Sequence, residues 1–115
     1  MSATETGAGN VDGTAAKVPE VLLVDHFTPH VGKIFHFKGT RHAIALDHIT
    51  SSDAPLPDWI KRRPFTLIFR GPKERDVLPE GFYQCEVDGG PVYDIYVMPI
   101  LSPQPDSQDY QAVFN

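Results

Sequence analysis

Proline is the feature that most constrains this chain. Eleven prolines in 115 residues leave little room for long helices, because each removes a backbone donor and its ring collides with the preceding turn. They gather in two places, Ser51–Pro57 and Ser102–Pro105 within LSPQPDSQD. Both stretches read as loops joining strands. Between the loops the periodicity is two, the period of a strand with one buried face.

The run VGKIFHF puts Val31, Lys33, Phe35 and Phe37 on one face and Gly32, Ile34 and His36 on the other. A turn at Gly39-Thr40 would then set Phe37 opposite His42 and Phe35 opposite Ile44 in HAIALDHIT, the cross-strand pairing of a hairpin. FTLIFR offers Phe65, Leu67 and Phe69 inward, with Thr66, Ile68 and Arg70 outward. In FYQCEVDGGPVYDIYVMPI a two-residue Gly89-Gly90 turn would set Cys85 opposite Asp94 and mix polar with apolar residues on each face. A three-residue loop, Asp88-Gly89-Gly90, sets Cys85 opposite Tyr93 and Tyr83 opposite Ile95. That register separates the faces better and is preferred. It leaves Phe82 opposite Tyr96 on the wetter face, with Gln84, Glu86 and Asp94.

The sequence ends DYQAVFN, with Tyr110, Ala112 and Phe114 at alternate positions. A small antiparallel sheet has edges that must be paired or covered. The expectation is that this strand closes the sheet within the chain, with those three residues inward; the alternative is pairing with another subunit. One short helix is expected from Pro19 and Glu20 through VLLVDHF, about two turns stopped by Pro29, and one further turn at Asp58–Lys61. Residues 1–17, rich in Ala, Gly, Thr and Ser, have too little apolar surface to offset their ordering entropy and read as a disordered leader. Residues 18–115 read as a single β domain.

The order HFTPHVGKIFHF, RRPFTLIFRGP, LPEGFYQCEV, VYDIYVMPI and YQAVFN resembles a family of small bacterial domains of unknown function. The likeness covers roughly residues 22–115. Met98 departs from it, standing where valine is expected before Pro99-Ile100, an apolar-for-apolar change. The resemblance implies an accessory of phage-tail-like proteins and no catalytic residues.

Chemistry is sparse. The five histidines, His26, His30, His36, His42 and His48, form no metal motif. Pro29 interrupts the helical spacing of His26 and His30. His42 and His48 share a strand face in a regular strand but stand about 20 Å apart at ~3.3 Å per residue. The single Cys85 excludes an internal disulfide and a multi-cysteine zinc site. Its neighbours are acidic, whereas a reactive thiolate needs a positive one. GPKERD and DGGP lack the ending of a phosphate loop. No metal or cofactor is expected.

Charge is unevenly distributed. Lys61, Arg62, Arg63, Arg70, Lys73 and Arg75 cluster, while residues 76–115 hold seven acids and no Lys or Arg. A net charge of −5 argues against nucleic acid. The basic segment is expected to pack beside the acidic half or to attract it in a head-to-tail assembly. No apolar run approaches the ~18 residues of a membrane span. With no signal peptide in view, a cytoplasmic setting is expected.

Together these readings give an all-β domain, an open barrel or roll of six to seven mostly antiparallel strands with a short N-terminal helix. Its expected role is non-catalytic: a structural or protein-interaction module, with a surface drawn from Arg62, Arg63, Arg70, Phe82, Tyr96, Tyr110 and Phe114, and with homo-oligomers left open. The alternative is a small ligand-binding barrel or minor enzyme using His42 and nearby carboxylates. Removing residues 1–17 is expected to leave the melting temperature nearly unchanged; calorimetry on the truncated chain checks this.

Overall fold

The computed structural model describes residues 21–60 and 62–115. The expected leader over residues 1–17, and Pro19, Glu20 and Lys61, lie outside them. A single helical turn, α1 (Val24–Phe27), runs into a 3-10 turn (Thr28–His30). Six strands come after it: β1 (Ile34–Phe37), β2 (Ala43–Ser51), β3 (Phe65–Pro72), β4 (Gly81–Val87), β5 (Val92–Ile100) and β6 (Ser107–Phe114).

The strands close into a barrel in the order β1-β2-β3-β6-β5-β4, with β4 returning to pair with β1. Every pairing is antiparallel. The barrel is therefore closed, where the sequence suggested an open one. The spatial run β4-β1-β2-β3 is a Greek key. Because β3 and β4 are not neighbours, residues 73–80 must cross one mouth of the barrel. That crossing sets Leu78 fully inside, and its N–H donates to the Tyr110 hydroxyl at 3.0 Å.

The turns fix the registers. Gly89 sits at φ 70°, a left-handed conformation that glycine adopts without a Cβ clash. The three-residue loop it allows pairs Cys85 with Tyr93, Tyr83 with Ile95 and Phe82 with Tyr96. In the first hairpin Phe35 faces Ile44, and the Phe37 N–H donates to the His42 carbonyl at 3.1 Å. This strand starts later than its alternation suggests. Gly32 turns the chain at φ 89°, so Val31 and Lys33 lie exposed outside β1.

Strand β2 also departs from strict alternation. Its pairing with β3 shifts between Leu46 and His48, leaving Asp47 as a bulge. A bulge inserts one unpaired residue and so reverses the inward parity of the residues beyond it. Leu46 points inward, then Ile49 packs on the core instead of His48. His42 and His48 therefore do not share a face.

The core is strongly aromatic. Phe65, Leu67 and Phe69 of β3 are buried, as are Tyr110 and Ala112 of β6, with Phe114 partly buried against them. Phe27 seals the mouth opposite Leu78, with ring centroids 4.8 Å from Tyr93, 5.4 Å from Phe114 and 5.9 Å from Phe65. The N-terminal helix is thus a plug carrier. It is one turn long, shorter than expected, and Pro29 lies within the following 3-10 turn, where a missing N–H is tolerated. His26 Nδ1 accepts the Leu23 N–H at 2.8 Å and caps it. The expected turn at residue 58 is a single reversal closed by Ile60 N–H to Pro57 O at 3.0 Å. Phe27→Ala should destabilise by about 3–5 kcal/mol, the range for a buried Phe left as a cavity; urea denaturation measures it.

Candidate interaction face

Strand alternation decides which side chains reach the outside of the barrel. On β4 these are Phe82, Gln84 and Glu86; on β5 they are Asp94, Tyr96 and Met98. Phe82 is 77 % exposed and Tyr96 39 %. Their rings meet edge to face at 4.9 Å and 71°, the arrangement an aromatic quadrupole favours. The Tyr96 hydroxyl donates to the Glu80 carboxylate. That bond, with its acceptor's negative charge, raises the Tyr96 phenol above its ordinary range. Two large rings thus pack together in solvent, with Glu80 bonded to one of them and Asp94 and Glu86 further along the same face. On the adjoining β1 the outward residue is His36, with Lys38 just beyond it.

The other expected surface residues lie elsewhere. Tyr110 is buried and Phe114 stacks on Phe65 at 4.7 Å, 8° from parallel. Arg62 lies over the Phe65 and Phe114 rings at 5.9 and 5.6 Å, and donates to the Asn115 and Leu22 carbonyls. Arg63 donates to the carbonyls of Ser52 and Ala54, pinning the proline-rich loop. Arg70 forms a fork onto Asp109, Nε to Oδ1 and Nη2 to Oδ2, both 2.8 Å. It also reaches Asp47 at 3.4 Å. Of the expected basic segment, Arg70 meets the acidic half through Asp109, while Arg62 and Arg63 take backbone carbonyls; these three arginines serve the fold.

Asp109 is the buried charged residue of the described chain. Arg70 holds its carboxyl below the ordinary aspartate range, against the opposing effect of burial. Cys85 is also fully buried, and burial, with Asp94 adding, pushes its thiol up to about 12. It is inert packing. The histidines are dispersed: His48 Nδ1 lies 2.7 Å from Asp47, and His36 Nε2 3.7 Å from Asp88. His30 stands edge-on to Phe35 with Nδ1 buried and unpartnered among the described residues. Burial first, then Lys33, lowers its pKa. No group of three or more metal-ligating side chains occurs among the described residues. No described helix is long and apolar enough to cross a membrane.

Residues 22–114 match a family described as a domain of unknown function, DUF6916. The chain belongs to this family. No curated protein and no solved structure matches it. The DUF6916 domain thus spans the barrel and its plug, from Leu22 to Phe114.

The Arg70–Asp109 pair makes stability depend on acid. Since the folded pKa of Asp109 is depressed, its contribution is present above the ordinary aspartate value of about 3.9. It is lost as pH falls through the lower folded value. Asp109→Asn should flatten this acid limb. Arg70→Met, which leaves the Asp109 carboxylate without its partner, should lower the melting temperature at neutral pH and bring the acid limb in at higher pH. Thermal melts across pH 2–7, roughly the span in which carboxylates titrate, check both.

Proposed function

We propose that this domain is a non-catalytic protein-interaction module whose contact face is the outer surface of β4 and β5. The observation that carries it is the Phe82–Tyr96 pair, two exposed rings locked edge to face and anchored through Glu80. Aromatic anchors encircled by polar residues are what binding hot spots are made of. The barrel interior is filled by side chains, which supports a scaffold role over a ligand-holding one.

The partner is a protein surface that is basic and apolar. Glu80 bonds the Tyr96 hydroxyl, Asp94 and Glu86 lie further along the same outward faces, and no Lys or Arg occurs from residue 76 onward. A second copy of the chain fits less well. Face to face, the acids would oppose one another. Arg41, Arg62, Arg63 and Arg70 are already engaged within the chain. The resemblance of the sequence to accessories of phage-tail-like proteins makes a tail-like assembly the proposed setting. Chemistry at His42, the other reading, would be confined to the rim of a plugged barrel.

Selection of random displayed peptides against the folded domain tests this. The expected result is enrichment of peptides pairing Lys or Arg with apolar residues. Phe82→Ser should weaken them by about tenfold or more, as loss of a hot spot does, with no change in melting temperature. Equal binding to the variant, or no enrichment, would overturn the assignment.

A further inference from the structure

The N-terminal plug is fastened at its two ends and lightly between them. Arg62 donates to the Leu22 carbonyl at one end. At the other the Gly32 N–H donates to the Leu46 carbonyl at 2.7 Å, and Gly32 turns the chain at φ 89°. Between these points, among the described residues, the one hydrogen bond from the barrel is a long one, Tyr93 hydroxyl to His26 carbonyl at 3.4 Å. The segment is otherwise seated by rings. Phe27 packs on Phe65, Tyr93 and Phe114. His30, three residues on in the same turn, packs on Phe35 at 6.3 Å and Tyr93 at 6.2 Å.

His30 Nδ1 is buried and has no hydrogen-bond partner. Buried polar atoms are ordinarily satisfied, so this one asks for a reason. As a bare lone pair it forgoes one hydrogen bond. With a proton it becomes a donor on a positive ring, turned into apolar contacts with nothing to accept it. The turn therefore accommodates the neutral ring with its proton on Nε2. His26, one helical turn earlier, is held in the same form. Its Nδ1 accepts the Leu23 N–H at 2.8 Å, and a proton there would set two donors against each other. The charged groups nearby do not rescue the cation. Lys33, at the entry to β1, opposes it. Asp88, in the loop after β4, lies toward His36 at 3.7 Å. Asp47 on β2 is taken by His48 and Arg70. No carboxylate, Asp25 of the same helix included, offsets Lys33 among the described residues. On β5 the facing group is the Tyr93 phenol, which burial raises and keeps protonated.

We propose that the plug is an acid-released latch: proton uptake by His30 in mildly acidic solution unseats the turn and draws Phe27 from the mouth, with His26 adding to the effect. Burial first, then Lys33, lowers the His30 pKa. The closed plug thus has its full stability above the ordinary histidine value of about 6.5. It loses stability as pH falls from there through the lower value of the closed state. The Arg70–Asp109 pair responds only in the carboxylate range, so the two acid responses occupy different windows. Opening brings Phe65, Tyr93 and Phe114 to solvent at one end of a barrel whose strands stay paired. The latch shares no residue with the Phe82–Tyr96 face, so either assignment can fail without the other.

Imidazole proton–carbon spectra of the full chain, together with amide hydrogen exchange, test it. The His30 ring should titrate with a midpoint below about 6.5. The reporting amides are those of His26, Thr28 and Lys33, which donate to the Leu23, Val24 and His30 carbonyls. Their protection, corrected for intrinsic exchange, should fall from about pH 7 to 5, the region where histidine ordinarily changes charge. The fall should reach up to about tenfold per pH unit, the limit for one proton. Leu67 and Phe69, in the β3–β6 ladder, should hold their protection. His30→Phe, which keeps a ring and takes no proton, should remove most of the fall. Adding His26→Gln, whose amide oxygen can still accept the Leu23 N–H, should remove the rest. A His30 midpoint at or above the ordinary value, an equal fall at Leu67 and Phe69, or an unchanged fall in His30→Phe would each overturn the proposal. The first two readings use the unaltered protein, so they decide the matter even if His30→Phe loosens the turn.

Discussion

Everything in this barrel depends on β6 being held on both sides. It pairs with β3 along its whole length, from Phe65↔Phe114 to Pro72↔Ser107, and with β5 at Met98–Ile100. Inserting it there separates β3 from β4 and sends β4 round to β1. The crossing over the mouth is the result, and with it the burial of Leu78. The Arg70–Asp109 fork sits within the β3–β6 ladder, so one charge pair and the Phe65–Phe114 stack both mark the same register. A slip of one residue would bury Gln111 and Val113 in place of Tyr110 and Ala112.

Much of the ladder was legible because glycine and alternation are local signals. Gly89 announced the second hairpin, and the inward set of β3 and β6 could be read by parity alone. Other features were not local. The bulge at Asp47 leaves no mark in HAIALDHIT, since Leu46, His48 and Ile49 read equally well in a strict alternation. Closure was missed because it depends on β1 meeting β4, fifty residues away. The basic cluster reads as a surface in the sequence, but an arginine's role is set by which carbonyls and carboxylates lie within reach. Phe82 and Tyr96 stand out in the sequence because they break the pattern, apolar where the face should be wet, and the structure exposes both. The approach of His42 Nε2 to within 3.5 Å of Asp76 depends on the crossing.

A closed barrel also limits how the domain can recognise anything. Adding a strand from a partner requires an open edge, and the closed ladder of the described strands offers none. Recognition then rests on side chains projecting from a fixed frame. The exposed Phe82–Tyr96 pair projects from that frame and offers area and shape.

The buried thiol has a consequence of its own. Cys85 lies on the inward face of β4, beside the closing contact with Phe37 of β1. No alkylating reagent can reach it while that seam is shut. Its rate of modification is therefore a clock for opening of the barrel, read at a single atom supplied by the native sequence. In a chain with one cysteine the signal has one source, and the frequency with which the frame comes apart can be counted without any introduced probe.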